Sequence, residues 1–291
     1  MSTPDRAALD QWYCLGALDT LPQGRSPATL MDRRLAVQRT GDALEVTCAG
    51  RVLDHRTGLG HLWVTPGSPL HGVLHLPEAG EPDRRHVPCG AVTVRSSGPR
   101  VIENFLDMAN FPFVHTNILG AEPHTEVAQY DCAIRRDVDE VWATDCRFVQ
   151  PKAALSAEGA IDTRYIYRVA SPLVALLYKT CPNAVDRWDV IALFVQPLAP
   201  DLCRAHMMMY LIDAASAQRD LIAFQQLIFL QDRIIVENQR PRLLPLEPRA
   251  EVPTRADASS IAYRRWLKEK GFHYGTTLGP PPTGASGQVA A

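Results

Sequence analysis

Apolar and polar residues alternate with a period of two along much of the second half of the chain. This alternation is typical of strands that have one face buried and the other in contact with solvent. The alternating segments are 125–135, 140–150, 162–169, 189–196 and 203–213. Together with a strand at 91–95, they predict a half-covered antiparallel sheet.

Two other segments have helical periodicity. Residues 217–238 place an apolar stripe on one face, with Leu221 and Ile228 among its members, and Pro241 ends the segment. Residues 101–115 predict a shorter helix directly after the first strand of the sheet. We therefore expect an α+β protein in which helices pack on an antiparallel sheet.

Short strand-like runs separated by Pro, Gly and other turn residues fill the first part of the chain. The runs are 12–15, 34–38, 43–48 and 61–65. We predict an all-β subdomain at 1–66, a connecting arm at the Pro- and Gly-rich 67–88, and the helix-and-sheet domain at 89–277. The composition of 278–291 predicts a disordered tail.

Charge and composition exclude several classes of function. Lys and Arg number 30 and Asp and Glu 32, for a net charge of -2, and no basic stripe suits a phosphate backbone, so no nucleic-acid partner is expected. No apolar run approaches the roughly 20 residues that span a bilayer, and the first residues are polar where a secretory signal is apolar. We expect a cytoplasmic protein without a membrane contact.

The 7 cysteines form no Cys-x-x-Cys pair, which suits reduced thiols.

Cys203 and His206 have a spacing that half of a metal site could use. They lie in a strand-like run, and no second Cys/His pair is nearby. Because isolated cysteines are often simply buried, a structural role is the favoured interpretation.

The segment 103–115 carries Asp, Asn and His at intervals that suit a metal-binding helix. Non-heme Fe(II) enzymes hold the metal by two imidazoles and one carboxylate, which leaves other positions open for dioxygen and substrate. His115 is a candidate imidazole, Asn110 stands where a second is expected, and Asp232 on the long helix is the candidate carboxylate. Asp107 lies one turn before Asn110, where its carboxylate can orient an imidazole N–H.

These residues resemble the catalytic domain of the Rieske-type non-heme iron oxygenases. That family carries Asn-x-x-Asp-x-x-His-x-x-x-x-His on one helix and an Asp on a distant helix near the C-terminus. The matching positions are Asn104, Asp107, His115 and Asp232, with Asn110 in place of the first His. The resemblance covers roughly residues 85–270 and implies a START/Bet v 1-like catalytic domain.

The resemblance implies Fe(II) as cofactor, bound by His115, Asp232 and Asn110, with Asp107 as the catalytic residue that faces the electron donor. A carboxamide oxygen is a neutral and poorer ligand for Fe(II) than imidazole, so weak iron binding and loss of iron both stay open. By proximity to the ligands, the candidate substrate contacts are Phe111, Phe113, Ile228 and Gln231. Core packing is the alternative explanation for each of them.

Full-length members of the family begin with a Rieske domain whose [2Fe-2S] cluster needs two Cys and two His. The strands of 1–66 resemble the framework of that domain, but the Cys-x-His and Cys-x-x-His motifs are absent. Only Cys48 and His55 lie where the family inserts its cluster loops. We therefore assign no cluster-binding residues, and we expect electrons from NADH to arrive through an external Rieske/flavin reductase.

A catalytic subunit without its own cluster resembles the methylxanthine N-demethylase group of the family. This implies hydroxylation of an N-methyl group on a small planar heteroaromatic substrate, with N7 of 7-methylxanthine as the expected position, and release of formaldehyde. An additional structural subunit and a trimeric assembly are further expectations. Two alternatives stay open: a non-catalytic structural subunit, which Asn110 favours, and a lipid carrier of similar architecture, which no residue favours over a metal.

Overall fold

Residues 5–156, 159–184 and 186–280 are described by the computed structural model of the chain. The strands are β1 (Tyr13–Ala17), β2 (Gly24–Leu30), β3 (Arg33–Thr40), β4 (Ala43–Cys48), β5 (Arg51–Val52), β6 (Asp54–Gly58), β7 (His61–Thr65), β8 (Arg85–Val94), β9 (Asp131–Arg135), β10 (Glu140–Gln150), β11 (Ile161–Ser171), β12 (Val174–Thr180), β13 (Trp188–Ala199) and β14 (Leu202–Leu211). The α-helices are α1 (Arg6–Leu9), α2 (Gly98–Phe105), α3 (Phe111–Val114), α4 (Gln218–Asn238) and α5 (Ala258–Lys270). Short 3-10 turns lie at Pro77–Gly80 and Arg255–Asp257.

Two small antiparallel sheets form the N-terminal part of the molecule. Their strand orders are β1-β7-β6 and β2-β3-β4-β5. The sequence pattern does not predict β2, because Pro27 interrupts it. Proline is tolerated there because β2 is the edge strand of its sheet and pairs with β3 alone.

A seven-stranded antiparallel sheet forms the centre of the larger part, in the order β8-β14-β13-β12-β11-β10-β9. The predicted antiparallel sheet with helices on it is therefore confirmed. Strand β12 was not predicted, because its residues are buried on both faces of the sheet and therefore show no period-two alternation.

The two faces of this sheet are covered by different elements. On one face, Leu221 and Phe229 of α4 pack in the same apolar cluster as Met207 of β14. On the other face, Trp63 of β7 packs edge to face on Phe194 of β13, with ring centroids 4.8 Å apart. The sheet is thus enclosed by the helices on one side and by the N-terminal strands on the other.

The single helix predicted at 101–115 is wrong. Helix α2 ends at Phe105 and α3 begins only at Phe111. Pro112 is compatible with this break, because it lies in the first turn of α3, whereas inside one continuous helix its ring would clash with the carbonyl of Met108, four residues earlier. Asp107 therefore lies in the turn between α2 and α3 and not on a continuous helix with Asn110 and His115.

Two further differences from the expected pattern concern local structure. Helix α5 is not predicted, because buried Ser259 and Ser260 blur its apolar stripe. Strand β8 begins at Arg85, inside the stretch 67–88 expected as a connecting arm. Most of the predicted disordered tail, from residue 281 onward, lies outside the described residues.

Within the ranges that the structure describes, no helix combines the length and apolar character needed to cross a bilayer.

Candidate metal centre and its cavity

The short helix α3 positions His115 at its C-terminal end. The His115 N–H donates to the carbonyl of Phe111 (3.2 Å), and the hydroxyl of Thr116 donates to the carbonyl of Pro112 (2.6 Å). The chain then returns past α3 at Gly120, where a Cβ would lie 2.6 Å from the backbone nitrogen of Pro112. A residue without a side chain at this position therefore lets the return loop pack directly on α3.

Three side chains predicted as metal ligands converge at this point. His115 Nε2 lies 3.0 Å from Asp232 Oδ1, although 117 positions separate them in sequence. Asn110 Nδ2 donates to the same Asp232 oxygen at 3.3 Å. Gln231 Oε1 lies 2.9 Å from His115 Nδ1 and holds the imidazole from its other side. We call Asn110, His115 and Asp232 the ligand triad.

The pKa values of His115 and Asp107 are both raised above their ordinary values. Burial lowers the pKa of the His115 imidazole, but its hydrogen bond to Asp232 and the charge of that carboxylate outweigh burial, so the pKa is raised. Burial raises the pKa of Asp107 to about 6, and the neighbouring carboxylates of Asp257 and Asp232 add to this shift. One oxygen of Asp107 accepts from the backbone N–H of Ala109 (2.8 Å), which fixes its orientation.

The spacing of the triad suits a divalent ion with octahedral coordination. Two donor atoms that each lie about 2.1 Å from such an ion, in adjacent positions, lie about 3 Å from one another. The separations of 3.0 and 3.3 Å between triad atoms agree with this. Asn110 Oδ1 is buried and has no hydrogen-bond partner among the described residues, and a half-turn of the amide would place this oxygen where Nδ2 now lies.

The chemistry of the donor set limits how strongly it would hold iron. In the part of the chain that the structure describes, no group of three or more His, Cys, Asp or Glu side chains forms a metal site. The third donor of the triad is therefore the neutral amide of Asn110. The residues fit an iron ion, with lower affinity than two imidazoles and a carboxylate would give.

The triad lies in the wall of an interior cavity between α4 and the large sheet. Its lining includes Phe111, Gln150, Tyr165, Leu177, Ile228 and Phe229, together with the triad. The ring of Phe111 lies at the centre of the aromatic part of this wall, with its centroid 6.2 Å from His115 and 6.1 Å from Tyr165. A mostly apolar cavity with a few polar groups is the common form of a small-molecule site.

Of the four predicted substrate contacts, two line the interior cavity and two lie outside its lining. Phe111 and Ile228 line the interior cavity. Phe113 is 70% exposed and is not part of the lining, because the single turn of α3 directs it outward. Gln231 is also outside the lining, since its amide is bound to His115.

Asp107 borders two spaces at once. Asn104, Asp107 and Asn110 line both the interior cavity and an outer cleft whose other walls include Arg100 and Arg264. We call this second space the outer cleft. Asp107 therefore lies in the thin wall between the metal centre and the molecular surface.

Sequence reasoning missed the cavity residues that come from the sheet. Gln150, Tyr165, Lys179 and Asp189 all line the interior cavity, yet none belongs to the recognised motif. The sequence pattern could have indicated Gln150, because the alternation of β10 places this polar residue on the buried face of the strand.

The remaining candidate residues make structural contacts. Both ring nitrogens of His55 are close to backbone carbonyls, of Leu44 (2.7 Å) and Leu53 (3.0 Å), while Cys48 ends β4 as a partly buried thiol. Cys203 and His206 are both buried. Residues three apart in a strand point to opposite faces, so Cys203 and His206 cannot bind one ion together.

The fold and the arrangement of these side chains agree with the class of the Rieske-type non-heme iron oxygenases. Residues 94–271 match the family described as the vanillate O-demethylase oxygenase C-terminal domain, and the chain belongs to this family of Rieske-type monooxygenases. Membership implies an iron centre, and the resemblance found in the sequence motif is confirmed.

Among curated proteins, the chain is similar to a probable methylxanthine N7-demethylase, NdmC, of Pseudomonas sp. (strain TJI-51). The two are 45% identical over 285 residues, which cover 96% of this chain and 100% of the relative. The methylxanthine N1-demethylase NdmA of Pseudomonas putida is 27% identical over 180 residues, which cover 57% of this chain and 45% of the relative. The solved structure of NdmA from Pseudomonas putida CBB5 with caffeine superposes with a TM-score of 0.75 at 17% identity and 94% coverage of both chains, which shows a shared fold.

Proposed function

We propose that the protein is the catalytic oxygenase component that removes an N-methyl group from a methylxanthine, with N7 of 7-methylxanthine as the preferred position. The observation that carries this proposal is the meeting of His115 and Asp232 at 3.0 Å beside Asn110 in the wall of the interior cavity. Residues far apart in sequence converge here in an arrangement that suits a metal and borders the interior cavity.

The triad would hold Fe(II), which when bound supplies the activation of dioxygen at its open positions. Gln231 keeps His115 Nδ1 engaged, so that Nε2 faces the site. Phe111 and Ile228 exclude water and offer flat apolar contacts to a heteroaromatic ring. One oxygen atom of dioxygen would enter an N-methyl C–H bond to give a carbinolamine, while two electrons from NADH and two protons reduce the other atom to water. The C–N bond of the carbinolamine then breaks and its hydroxyl proton passes to the ring nitrogen, which leaves a free N–H and formaldehyde.

The substrate class rests on relatedness and on the character of the cavity. NdmC, at 45% identity over its full length, is described as a probable methylxanthine N7-demethylase. The aromatic side chains Phe111, Tyr165 and Tyr167 contribute flat surfaces to the cavity, and such surfaces suit a purine better than a long flexible chain.

Electrons would come from NADH through an external Rieske/flavin reductase, because residues 1–66 contain neither the Cys-x-His nor the Cys-x-x-His motif that binds the cluster. The two small N-terminal sheets would then be a Rieske-like subdomain that carries no cluster. The location of Asp107 supports the outer cleft as the docking position of the electron donor, since Asp107 borders both this cleft and the interior cavity that holds the triad. A further structural subunit and a trimeric assembly belong to the same proposal.

A non-catalytic structural subunit is the second candidate, and one observation favours it. Two contacts already join the triad side chains in the absence of an ion, because Asp232 accepts from Asn110 and lies within hydrogen-bond distance of His115. A site that is closed in this way can persist without a metal.

Iron content and turnover separate the two candidates. The protein would be purified anaerobically, loaded with Fe(II), and assayed for NADH-dependent formaldehyde with a Rieske-type reductase and a panel of methylxanthines. We expect bound iron and formaldehyde in proportion to 7-methylxanthine consumed, and neither with Asp232→Ala. An unmodified protein that holds no iron and releases no formaldehyde would contradict the catalytic proposal and support the structural one.

A further inference from the structure

A buried lysine lies in the wall of the interior cavity. Lys179 is the penultimate residue of β12 and is only 7% exposed. Its side chain belongs to the lining of the cavity. Lysine is among the residues least often buried, and a buried ammonium group is normally paired with a carboxylate. The partners of Lys179 therefore decide what this part of the wall can bind.

The protein supplies only part of the hydrogen bonding that Lys179 can make. Among the described residues, its side chain makes one hydrogen bond, from Nζ to the backbone carbonyl of Ala153. In the same part of the chain, the lysine that forms an ion pair is Lys270, with Asp139, and Lys179 forms none. An ammonium group has three N–H donors and no acceptor. Lys179 therefore keeps donors that can serve a ligand in the cavity.

Asp189 is the neighbouring carboxylate, but it does not neutralise Lys179. The two residues are paired across β12 and β13, and Asp189 Oδ1 accepts from the backbone N–H of Ile212 at 3.0 Å. Burial lowers the pKa of Lys179 and raises the pKa of Asp189, whereas a close ion pair would shift each pKa in the opposite direction. The charge of Lys179 is therefore incompletely compensated within the protein.

Lys179 is close to the aromatic part of the cavity wall. It pairs with Tyr165 across β11 and β12, and side chains of residues paired in this way lie on the same face of a sheet. The ring of Phe111 lies 6.1 Å from the ring of Tyr165 and 6.2 Å from the ring of His115. The same cavity therefore combines the ligand triad, flat aromatic surfaces and the amine of Lys179.

We infer that Lys179 Nζ donates a hydrogen bond to a ring carbonyl oxygen of the substrate. This inference rests on the proposed function and adds a residue that determines specificity at the same site. A side chain that only donates selects a ligand with an acceptor, and a hydrogen bond from a charged donor is about twice as strong as a neutral one. Lys179 thereby distinguishes purines with ring carbonyls, such as methylxanthines, from purines that carry no oxygen.

Equilibrium dialysis of the full chain with two ligands tests this contact. The ligands are 7-methylxanthine, which carries ring carbonyls, and 7-methylpurine, which is the same bicycle without them. We expect Lys179→Met to weaken binding of 7-methylxanthine by about 10–100-fold, the effect of losing a hydrogen bond to a charged group. The affinity for 7-methylpurine should stay unchanged, because this ligand offers Lys179 no carbonyl.

Lys152→Met is the matched control, because it makes the same substitution at an exposed lysine outside the cavity lining. Both affinities should stay unchanged in this variant. Undiminished binding of 7-methylxanthine by Lys179→Met would overturn the inference while the proposed function stands. An equal loss for both ligands would also overturn it, since this result would indicate a general change of the cavity. If the unmodified protein binds no methylxanthine, the proposed function fails and the inference fails with it.

Discussion

At the residue scale, we expect Asn110 to decide how strongly the site binds iron. Asn110→His would supply an imidazole in place of a neutral amide beside Asp232, and we expect Fe(II) affinity to rise by at least about tenfold. Anaerobic titration with Fe(II), followed by removal of free metal and iron analysis, measures the change.

Asn110→Ala is the companion variant, because it removes the amide without adding a donor. We expect this variant to bind less iron than the unmodified protein. Equal iron affinity in Asn110→His, Asn110→Ala and the unmodified protein would place Asn110 outside the ligand set.

Gln231 acts on the metal centre through His115. Its amide oxygen lies 2.9 Å from His115 Nδ1, and loss of such a supporting hydrogen bond lowers metal affinity by about 10–100-fold. We expect Gln231→Leu to show this loss in the same iron titration. Gln226→Leu is a matched control on the same helix, because Gln226 bonds to the carbonyl of Cys89 rather than to the centre; an equal loss there would indicate a general effect on α4.

At the scale of elements, the packing of the return loop on α3 positions His115. A Cβ at residue 120 would lie 2.6 Å from Pro112 N and 2.9 Å from Phe111 C, both backbone atoms that cannot move aside. We expect Gly120→Ala to lower the free energy of unfolding by about 1–3 kcal/mol and to reduce bound iron. Urea unfolding and iron analysis measure the two effects.

Gly72→Ala is the control for this variant. Nothing lies within 4 Å of a Cβ at Gly72, so stability and iron content should stay close to those of the unmodified protein. If Gly120→Ala behaved in the same way, the close approach of the loop to α3 would not be needed to place His115.

Element prediction succeeded where one physical signal dominated. The period-two alternation of β10 and the long apolar stripe of α4 correspond to real elements, because each buries one side on a single neighbour. Prediction failed where two signals competed, as in β12, which is buried on both faces, and in β2, which contains Pro27. The helix at 101–115 was predicted without the break that precedes Pro112.

At the scale of the whole molecule, His206 couples the large sheet to the N-terminal strands. Its Nε2 lies 2.9 Å from Gln196 Oε1, and Gln196 donates to the carbonyl of Thr29 in β2 (2.7 Å). Burial lowers the pKa of His206 to about 3, and the nearby His61 and Arg204 add to this shift. The imidazole is therefore held neutral at this junction.

This buried histidine should make the fold sensitive to acid. Because the folded pKa lies below the ordinary value of 6.5, the unfolded chain binds the proton more strongly, and stability falls as pH drops below 6.5. We expect His206 to account for a loss of about 2 kcal/mol between pH 7.5 and pH 5. Urea unfolding at the two pH values should show that His206→Gln lacks this part of the loss; an unchanged pH dependence would exclude His206 as its source.

The sequence by itself determined the family and the antiparallel sheet with helices, and it singled out Asn110, His115 and Asp232 as the proposed ligands, because motif spacing and alternation are local properties of a chain. Tertiary structure alone decided that Asn110, His115 and Asp232 meet, that Phe113 points outward, and that Gln150 and Tyr165 line the cavity. The physical reason is that hydrogen-bond satisfaction and cavity shape depend on contacts between segments more than a hundred residues apart, as in the 117-residue separation of His115 and Asp232.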